Sequence, residues 1–333
     1  MTDNTLEESV DVQDVLLEEE TVENDAFQQP PVPQKKKSKY GLRKQDVIFI
    51  VAMLAYPIAH FCFFWIGTNA GAILLAFELD GKFSTQWFEN LFFALAEGHD
   101  AIGQSIFNTF IFFIKDMLML PFHLLISYFF YRRIKGYRFF QIMFYLPSII
   151  SPVAIASMFQ LFVGPTGPLN HLLVNSWGWT DNAIGFLTDS TYANATLMFY
   201  TLWLGWGGNM LLLGGALARV PVEILESGRL DGIGTWKEII YLIFPLVWPT
   251  LSTLIILGLT GLFSAGAPVM LLTGGGYGTS NLAYWIFCRS GGLDPTQAQF
   301  NYVSAAGLFF TVIGVPIILG LRKLIEKIPT VEY

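Results

Sequence analysis

Six apolar stretches, each of a length that suits a membrane-crossing helix, alternate along this chain with polar connectors. They lie at about Val47–Trp65, Ile106–Phe130, Phe139–Phe162, Ala195–Ala218, Val247–Phe263 and Tyr302–Leu321. Pro57 and His60 fall inside the first, where neighbouring helices can satisfy the carbonyl that a proline frees. Between the first two runs, residues 67–104 carry Glu78, Asp80, Glu89, Glu97 and Asp100 against the single base Lys82. Within that connector, Trp87–Leu95 reads as a short interfacial helix. Residues 171–194 hold Trp177, Trp179, Asp181 and Asp189 and no base, and Asn281–Cys288 is too short for a full crossing, so it reads as re-entrant or interfacial.

Charge orients the pattern. Six of the 19 Lys and Arg residues precede or open the first run (Lys35, Lys36, Lys37, Lys39, Arg43, Lys44), and four lie in Tyr131–Arg138. Arg219, Arg229 and Lys237 occupy the central connector, and Arg322, Lys323 and Lys327 follow the last run. Loops rich in Lys and Arg stay on the cytoplasmic side. The expected fold is therefore an all-α membrane protein of six transmembrane helices, with both termini and the central connector cytoplasmic. Only Lys82 and Arg289 fall outside, and Lys115 lies within the bilayer. A content of 53% hydrophobic and 14% charged residues agrees with a membrane protein and not with a soluble domain. The formal charge of −7 is carried by residues 1–34, which hold acids and no base and read as a disordered tail. The start lacks the pattern of a cleaved signal peptide, so the first span is expected to stay. Nucleic-acid binding has no support. Cys62 and Cys288 make no redox or metal pair, and His60, His99, His123 and His171 are scattered without ligand spacing.

The polar stretch Val220–Pro245 holds four acids and two bases between two apolar runs. Pro221 suits the opening of a helix, and Glu223 and Glu226 suit its early turns, where the helix dipole favours negative charge. Gly232 and Gly234 allow a change of direction. Thr235 with Glu238 spells a capping box for a second short helix, which Pro245 is expected to end. The product is a helix-turn-helix on one membrane face. Glu226-Ser227-Gly228, then Gly232 three residues on, then Leu242-x-Phe244-Pro245 after nine more, resembles the EAA loop of ABC importer transmembrane subunits. The family pattern is Glu-Ala-Ala, three residues, Gly, nine residues, Ile-x-Leu-Pro. Ser227 and Gly228 replace the two alanines and stay small, although Gly228 weakens a helix by roughly 1 kcal/mol against Ala. An ordinary amphipathic connector is the plain alternative.

The resemblance covers roughly residues 105–320. Asn108-Thr109 at the start of the second run, Leu146-Pro147 with Pro152, Gly167-x-x-Asn170, and Leu272-Thr273-Gly-Gly-Gly276 match further features of that family in order, with Tyr277 where proline is usual. The glycine run is no phosphate loop, since no Gly-Lys-Ser/Thr follows. The likeness is greatest to the sugar-importer branch. With the readings from composition and charge, it divides the chain into a tail (1–34), a basic juxtamembrane segment (35–46), a first helix with its external segment (47–104), a permease core (105–321) and a cytoplasmic C-terminus (322–333). It also implies a plasma-membrane complex, bacterial or archaeal, with a second permease subunit, two ATPase subunits, an external substrate-binding protein and a sugar. In that reading Glu226, Ser227, Gly228, Asp231, Gly232, Leu242, Phe244 and Pro245 dock on the ATPase. No Walker A motif, catalytic constellation, cofactor site or metal site is expected in the chain itself.

Two groups remain as candidates for the translocation path. Lys115 and Asp116 lie near the middle of the second run, where ionisable groups are functional candidates by default. Adjacent positions stand about 100° apart on a helix, so each is expected to find a partner elsewhere. A structural pairing role competes with a role in the path. Trp203, Trp206 and Asn209, set among Gly205, Gly207 and Gly208, offer stacking and hydrogen bonds suited to a sugar, or simply close helix packing. A permease for a polyamine, phosphate or lipid-linked solute, and an ion-coupled secondary transporter using Lys115 and Asp116, are the competing functions.

Overall fold

A computed structural model describes residues 44–98, 101–291 and 296–328. The acidic tail, the basic residues up to Arg43 and residues 329–333 lie outside the described residues, as do the expectations attached to them. The chain divides into two units, Met1–Trp65 and Ile66–Tyr333. In the first, α1 (Lys44–His60) runs into a π turn, Phe61–Ile66, and buries no side chain. Its aromatic side chains pack on one another, with Phe61 stacked on Trp65 at 5.0 Å and His60 between Tyr56 and Phe64. Apolar residues all round suit a helix set in lipid.

The second unit opens with α2 (Gly67–Ala76), a two-residue hairpin of β1 (Glu78–Leu79) and β2 (Lys82–Phe83), and α3 (Gln86–Glu97). The interfacial helix expected at Trp87–Leu95 is α3, whereas residues 67–76 are helical and not part of a loop. Trp87 Nε1 and Asn301 Nδ2 both donate to the Glu78 carbonyl, at 2.8 and 2.7 Å, which ties the hairpin down.

The helical core follows: α4 (Ile102–Tyr131), α5 (Tyr137–Ile149), α6 (Pro152–Val163), the short α7 (Pro168–His171), α8 (Ala193–Leu217), α9 (Val222–Leu230) and α10 (Thr235–Lys237). A π turn at Glu238–Ile243 leads into α11 (Phe244–Thr260), then α12 (Val269–Leu272), α13 (Leu282–Ser290) and α14 (Gln297–Ile325). Among the described residues, four helices are long and apolar enough to cross a membrane: Lys44–Ala76, Ile102–Tyr131, Thr235–Thr260 and Ala298–Ile325. Two bent pairs bring the number to six if each is one span.

The third apolar run is one of those pairs and differs from the straight helix expected. Its halves meet at 107°. Ile150 and Ser151 leave the helical region (ψ 145° and 132°), Ser151 because the ring of Pro152 disfavours helical backbone in the residue before it, and Pro152 then opens α6. Helix α8 packs along α4 and closely against α5, where a side chain on Gly207 would collide with Ser148. Three apolar clusters fill the unit. One holds the C-terminal halves of α4 and α8 together with Leu225, Ile239, Ile243 and Trp248. A second gathers Phe112, Phe159, Tyr200 and Leu272, and a third packs α3 and α13 on α14.

Candidate functional site

The central connector folds as a helix, a turn and a second helix. Helix α9 meets α8 at 77°, and Pro221 caps it in extended conformation, one residue before the helix begins. Leu225 and Gly228 face inward, and Glu226, Ser227, Arg229 and Leu230 face out. Leu230 is 89% exposed at the end of the helix.

The turn is a Schellman ending. The Gly232 N–H donates to the Arg229 carbonyl (3.0 Å) and the Ile233 N–H to the Gly228 carbonyl (3.1 Å). Gly232 adopts φ 74°, which favours glycine. Asp231, exposed at the end of α9, donates its N–H to Ser227. Gly228 permits close approach of the returning helix, since a Cβ there would stand 2.6 Å from Leu242 Cδ1.

Two local expectations fail. The capping box of Thr235 and Glu238 does not form: Gly234 takes the cap position with no side-chain bond, and Glu238 turns inward. Nor does Pro245 end the second helix. The chain stays helical through Thr260, with Pro245 in the first turn of α11, directly after the π turn. A proline lacks its N–H and crowds the carbonyl four residues back, and the wider turn accommodates that misfit. Conversely, a capping box not anticipated from sequence joins Thr296 and Gln299 at the start of α14.

Glu238 is the residue that sequence reasoning missed. Only 2% exposed, it accepts a hydrogen bond from Tyr128 Oη at 2.9 Å. Arg132 and Arg229 flank it at 3.8 and 3.6 Å, and Arg132 Nη1 also donates to Tyr128 Oη at 3.1 Å. The signal was available: Glu238 is the only acid in the span Thr235–Thr260, and an acid in such a place needs partners.

On α4, Lys115 binds its neighbour after all. Its Nζ lies 2.7 Å from Asp116 Oδ1 and donates to Thr201 Oγ1 on α8 at 2.8 Å. The long flexible lysine stem bridges the angular gap between adjacent positions. Lys115 is largely buried and Asp116 half exposed. Eight residues further along both helices, Asn209 Nδ2 lies 3.4 Å from the buried His123 Nδ1, and Trp206 meets the His123 ring edge-on at 4.9 Å. Trp206 also packs on Phe144, whereas Trp203 is exposed and packs beside Phe159. Helices α4 and α8 thus run parallel along a polar seam that holds Lys115, Asp116, Trp206 and Asn209, with Trp203 apart from it.

The remaining motifs converge at the opposite end of the core. Asn108 Nδ2 donates to the carbonyls of Gly278 (2.8 Å) and Ser280 (2.7 Å), and Thr109 Oγ1 accepts from the Leu282 N–H (2.9 Å). These bonds hold the glycine run, where Gly274, Gly275, Tyr277 and Gly278 all have positive φ. Asn170, 1% exposed, donates to Gly164 and Ile184 (both 2.9 Å) and accepts from the Ile184 N–H (2.7 Å). A Cβ on Gly167 would overlap the carbonyls of Leu161 and Phe162. In the loop after α7, Asp189 accepts from the Thr191 N–H at 2.7 Å, a bond that holds its carboxyl below the ordinary range.

A family of binding-protein-dependent transport system inner membrane components matches residues 119–328. A probable ABC transporter permease, YurN of Bacillus subtilis (strain 168), is 28% identical over 186 residues, covering 56% of this chain and 63% of that protein. The lactose transport system permease LacF of Rhizobium radiobacter is 25% identical over 207 residues, 62% of this chain and 65% of that one. The chain thus spans somewhat less than two thirds of the length of these relatives. A bacterial alginate ABC transporter, solved in complex with its alginate pentasaccharide-bound periplasmic protein, superposes with a TM-score of 0.73. It is 24% identical, over 85% of this chain and 95% of that one, and the likeness is one of fold.

Proposed function

The chain belongs to the family of binding-protein-dependent transport system inner membrane components, and from that premise we propose that it is a membrane-spanning subunit of an ATP-driven importer of a sugar or oligosaccharide. Six spans with both termini cytoplasmic, in a bacterial or archaeal plasma membrane, complete the reading. Sixteen of the 19 Lys and Arg residues on one side support that orientation. The names of the relatives, which include a lactose permease, support a saccharide, as does the periplasmic partner of the alginate transporter.

The observation that carries the coupling role is the geometry of α9. It turns 77° from α8, presents Glu226, Ser227 and Leu230 outward, and is fixed from behind by Leu225 and Gly228. A short helix held in this way is a rigid knob that a partner can push. In the proposed mechanism a second permease completes the bundle and two ATPase subunits engage α9 in each. Closure of the ATPases on ATP shifts the knob and favours the state open to the external binding protein. Alternating access then delivers the sugar past the α4–α8 seam, where Lys115, Asp116, Trp206 and Asn209 are the path residues, with Trp203 a further candidate outside the seam beside Phe159. The chain itself hydrolyses nothing.

The test is purification of the tagged chain from native membranes in mild detergent, with identification of retained proteins, followed by reconstitution and uptake of labelled saccharides. A second permease and an ATPase are expected, together with ATP-dependent uptake that Gly232→Trp abolishes. A chain that purifies alone, with uptake that follows a proton gradient and is lost in Asp116→Asn, would overturn the proposal in favour of an ion-coupled carrier.

A further inference from the structure

We infer that Glu238 is a positioning residue that joins the coupling helix α9 to α4, so that a push on α9 reaches the polar seam; the inference rests on the proposed ATP-driven reading. Three elements meet at this one carboxylate. Arg229 comes from α9, Tyr128 and Arg132 come from the end of α4, and Glu238 itself opens the π turn that leads into α11. The two arginines lie on different elements, so neither element can move away without separating its charge from the buried acid.

The burial makes the tie consequential. A carboxylate 2% exposed has little water to replace a lost partner, and an ion deprived of one is strongly disfavoured. The preferred response to a displacement of α9 is for the Arg229–Glu238–Arg132 group to move together. Beneath it Leu225, Tyr128, Ile239 and Ile243 belong to one continuous apolar cluster, so the charged link has a packed base that resists slipping.

From Tyr128 the route along α4 is short. Ser127 Oγ donates to the Met210 carbonyl of α8 at 3.4 Å, and His123 touches Asn209 and Trp206 one turn further. Lys115 and Thr201 join the same two helices two turns beyond. Arg229 and Arg132 therefore stand at the head of a contiguous series of contacts that ends at the path residues. Contiguity alone shows no coupling, so the claim turns on a measurement of transport per ATP.

The measurement compares Glu238→Gln, Glu238→Asp and Tyr128→Phe in the reconstituted complex. Glu238→Gln keeps the shape and removes the charge. It is expected to retain the ATPase at the wild-type ratio and to hydrolyse ATP within about twofold of wild type, while sugar moved per ATP falls about tenfold, the size of a typical coupling between sites. Glu238→Asp restores most of that ratio, and Tyr128→Phe lies between. A glutamine variant with wild-type sugar per ATP would overturn the inference. So would one in which assembly, hydrolysis and transport fall together, because that is the signature of a scaffold alone.

A second reading needs no partner and separates this inference from the parent one. In the purified full chain, amide exchange over Ile224–Leu230 is expected to rise about tenfold in Glu238→Gln as α9 loses its anchor, with α5 and α6 unchanged. Unchanged exchange in α9 refutes the tie whatever the ATPase result. Increased exchange in a chain whose wild type retains no ATPase upholds the tie and refutes the importer.

Discussion

Gly228 offers a case in which two opposed effects of similar size can be separated. Replacing it with alanine gains about 1 kcal/mol of helix propensity in α9. The new Cβ, however, would stand 2.6 Å from Leu242 Cδ1 and 3.6 Å from Ile233 Cδ1. Only the first contact is too close, and the obstructing atom is the tip of a flexible side chain. Leu242 is half-buried, so it has room to turn. Forcing a side chain off its rotamer costs about 0.5–1.5 kcal/mol, which nearly cancels the gain. Leucine at 228 has no such escape. Its remaining carbons enter the space between α9 and the π turn, and overpacking of that kind costs about 1–3 kcal/mol. Leucine carries nearly the same propensity gain, so its net cost is up to about 2 kcal/mol. Followed by tryptophan fluorescence on heating in detergent, Gly228→Ala is expected to melt within about 3 °C of the parent and Gly228→Leu below both, by up to about 6 °C. Adding Leu242→Ala removes the collision, so Gly228→Ala in that background should gain about 1 kcal/mol outright. Equal losses for Ala and Leu, or no gain in the Leu242→Ala background, would refute the account of this contact.

Gly167→Ala should behave quite differently, because its obstruction is the backbone of Leu161 and Phe162, which cannot swing aside; a loss above about 2 kcal/mol is expected, read as loss of folded protein in gel filtration. Asn170→Ala strips partners from the backbone of Gly164 and Ile184, and at about 1–3 kcal/mol for each buried group left unsatisfied it should be as damaging, by the same measurement. Gly232→Ala keeps α9 but strains the Schellman turn at φ 74°, at about 1–2 kcal/mol, seen as faster amide exchange at Ile233. The Asp189–Thr191 bond gives a pH test. Its carboxyl is depressed in the fold, so the bond's contribution is complete above the ordinary aspartate range and is lost as pH falls through the lower folded value. Protection of the Thr191 amide should fall with it, and Asp189→Asn should abolish that dependence.

Hydropathy gave the all-helical membrane fold and the order of the apolar runs, because a bilayer imposes length and composition directly, while the structure has four to six spans depending on how the bent pairs are counted. What it could not give was the path of the backbone within a run. The bend at Ser151 depends on Pro152, and the unbroken helix through Pro245 depends on a π turn; one proline breaks a helix and the other is absorbed, and both sit inside apolar runs. The central loop was legible because its signals are backbone signals: Gly232 for positive φ, and a small residue at 228 for close approach. Glu238 was misread because Thr235 three residues earlier offered a plausible local partner. Its actual partners are distant in sequence: Tyr128 is 110 residues away. Lys115 shows the opposite error. Helical geometry separates Cβ positions, but a side chain with four rotatable bonds can return to its neighbour, and does.

The two ends of the core are held by different chemistry, and the difference bears on which end moves. Around the glycine run, neutral amides and hydroxyls bond irregular backbone at 2.7–2.9 Å: Asn108, Thr109 and Asn170 each satisfy main-chain groups that a bilayer could not. Such bonds are directional, and a shift of 1 Å breaks them. Around Glu238, one directional bond from Tyr128 at 2.9 Å is joined by pairs to Arg132 and Arg229 at 3.8 and 3.6 Å, with both guanidiniums partly in solvent. Attraction at that range falls slowly with distance and tolerates rotation. The first arrangement therefore suits a frame that keeps one shape, and the second suits a joint that keeps its partners while changing angle. If α9 is the coupling helix proposed above, a displacement would enter at the end where α9 projects, and the glycine-run end would be the one to keep its shape.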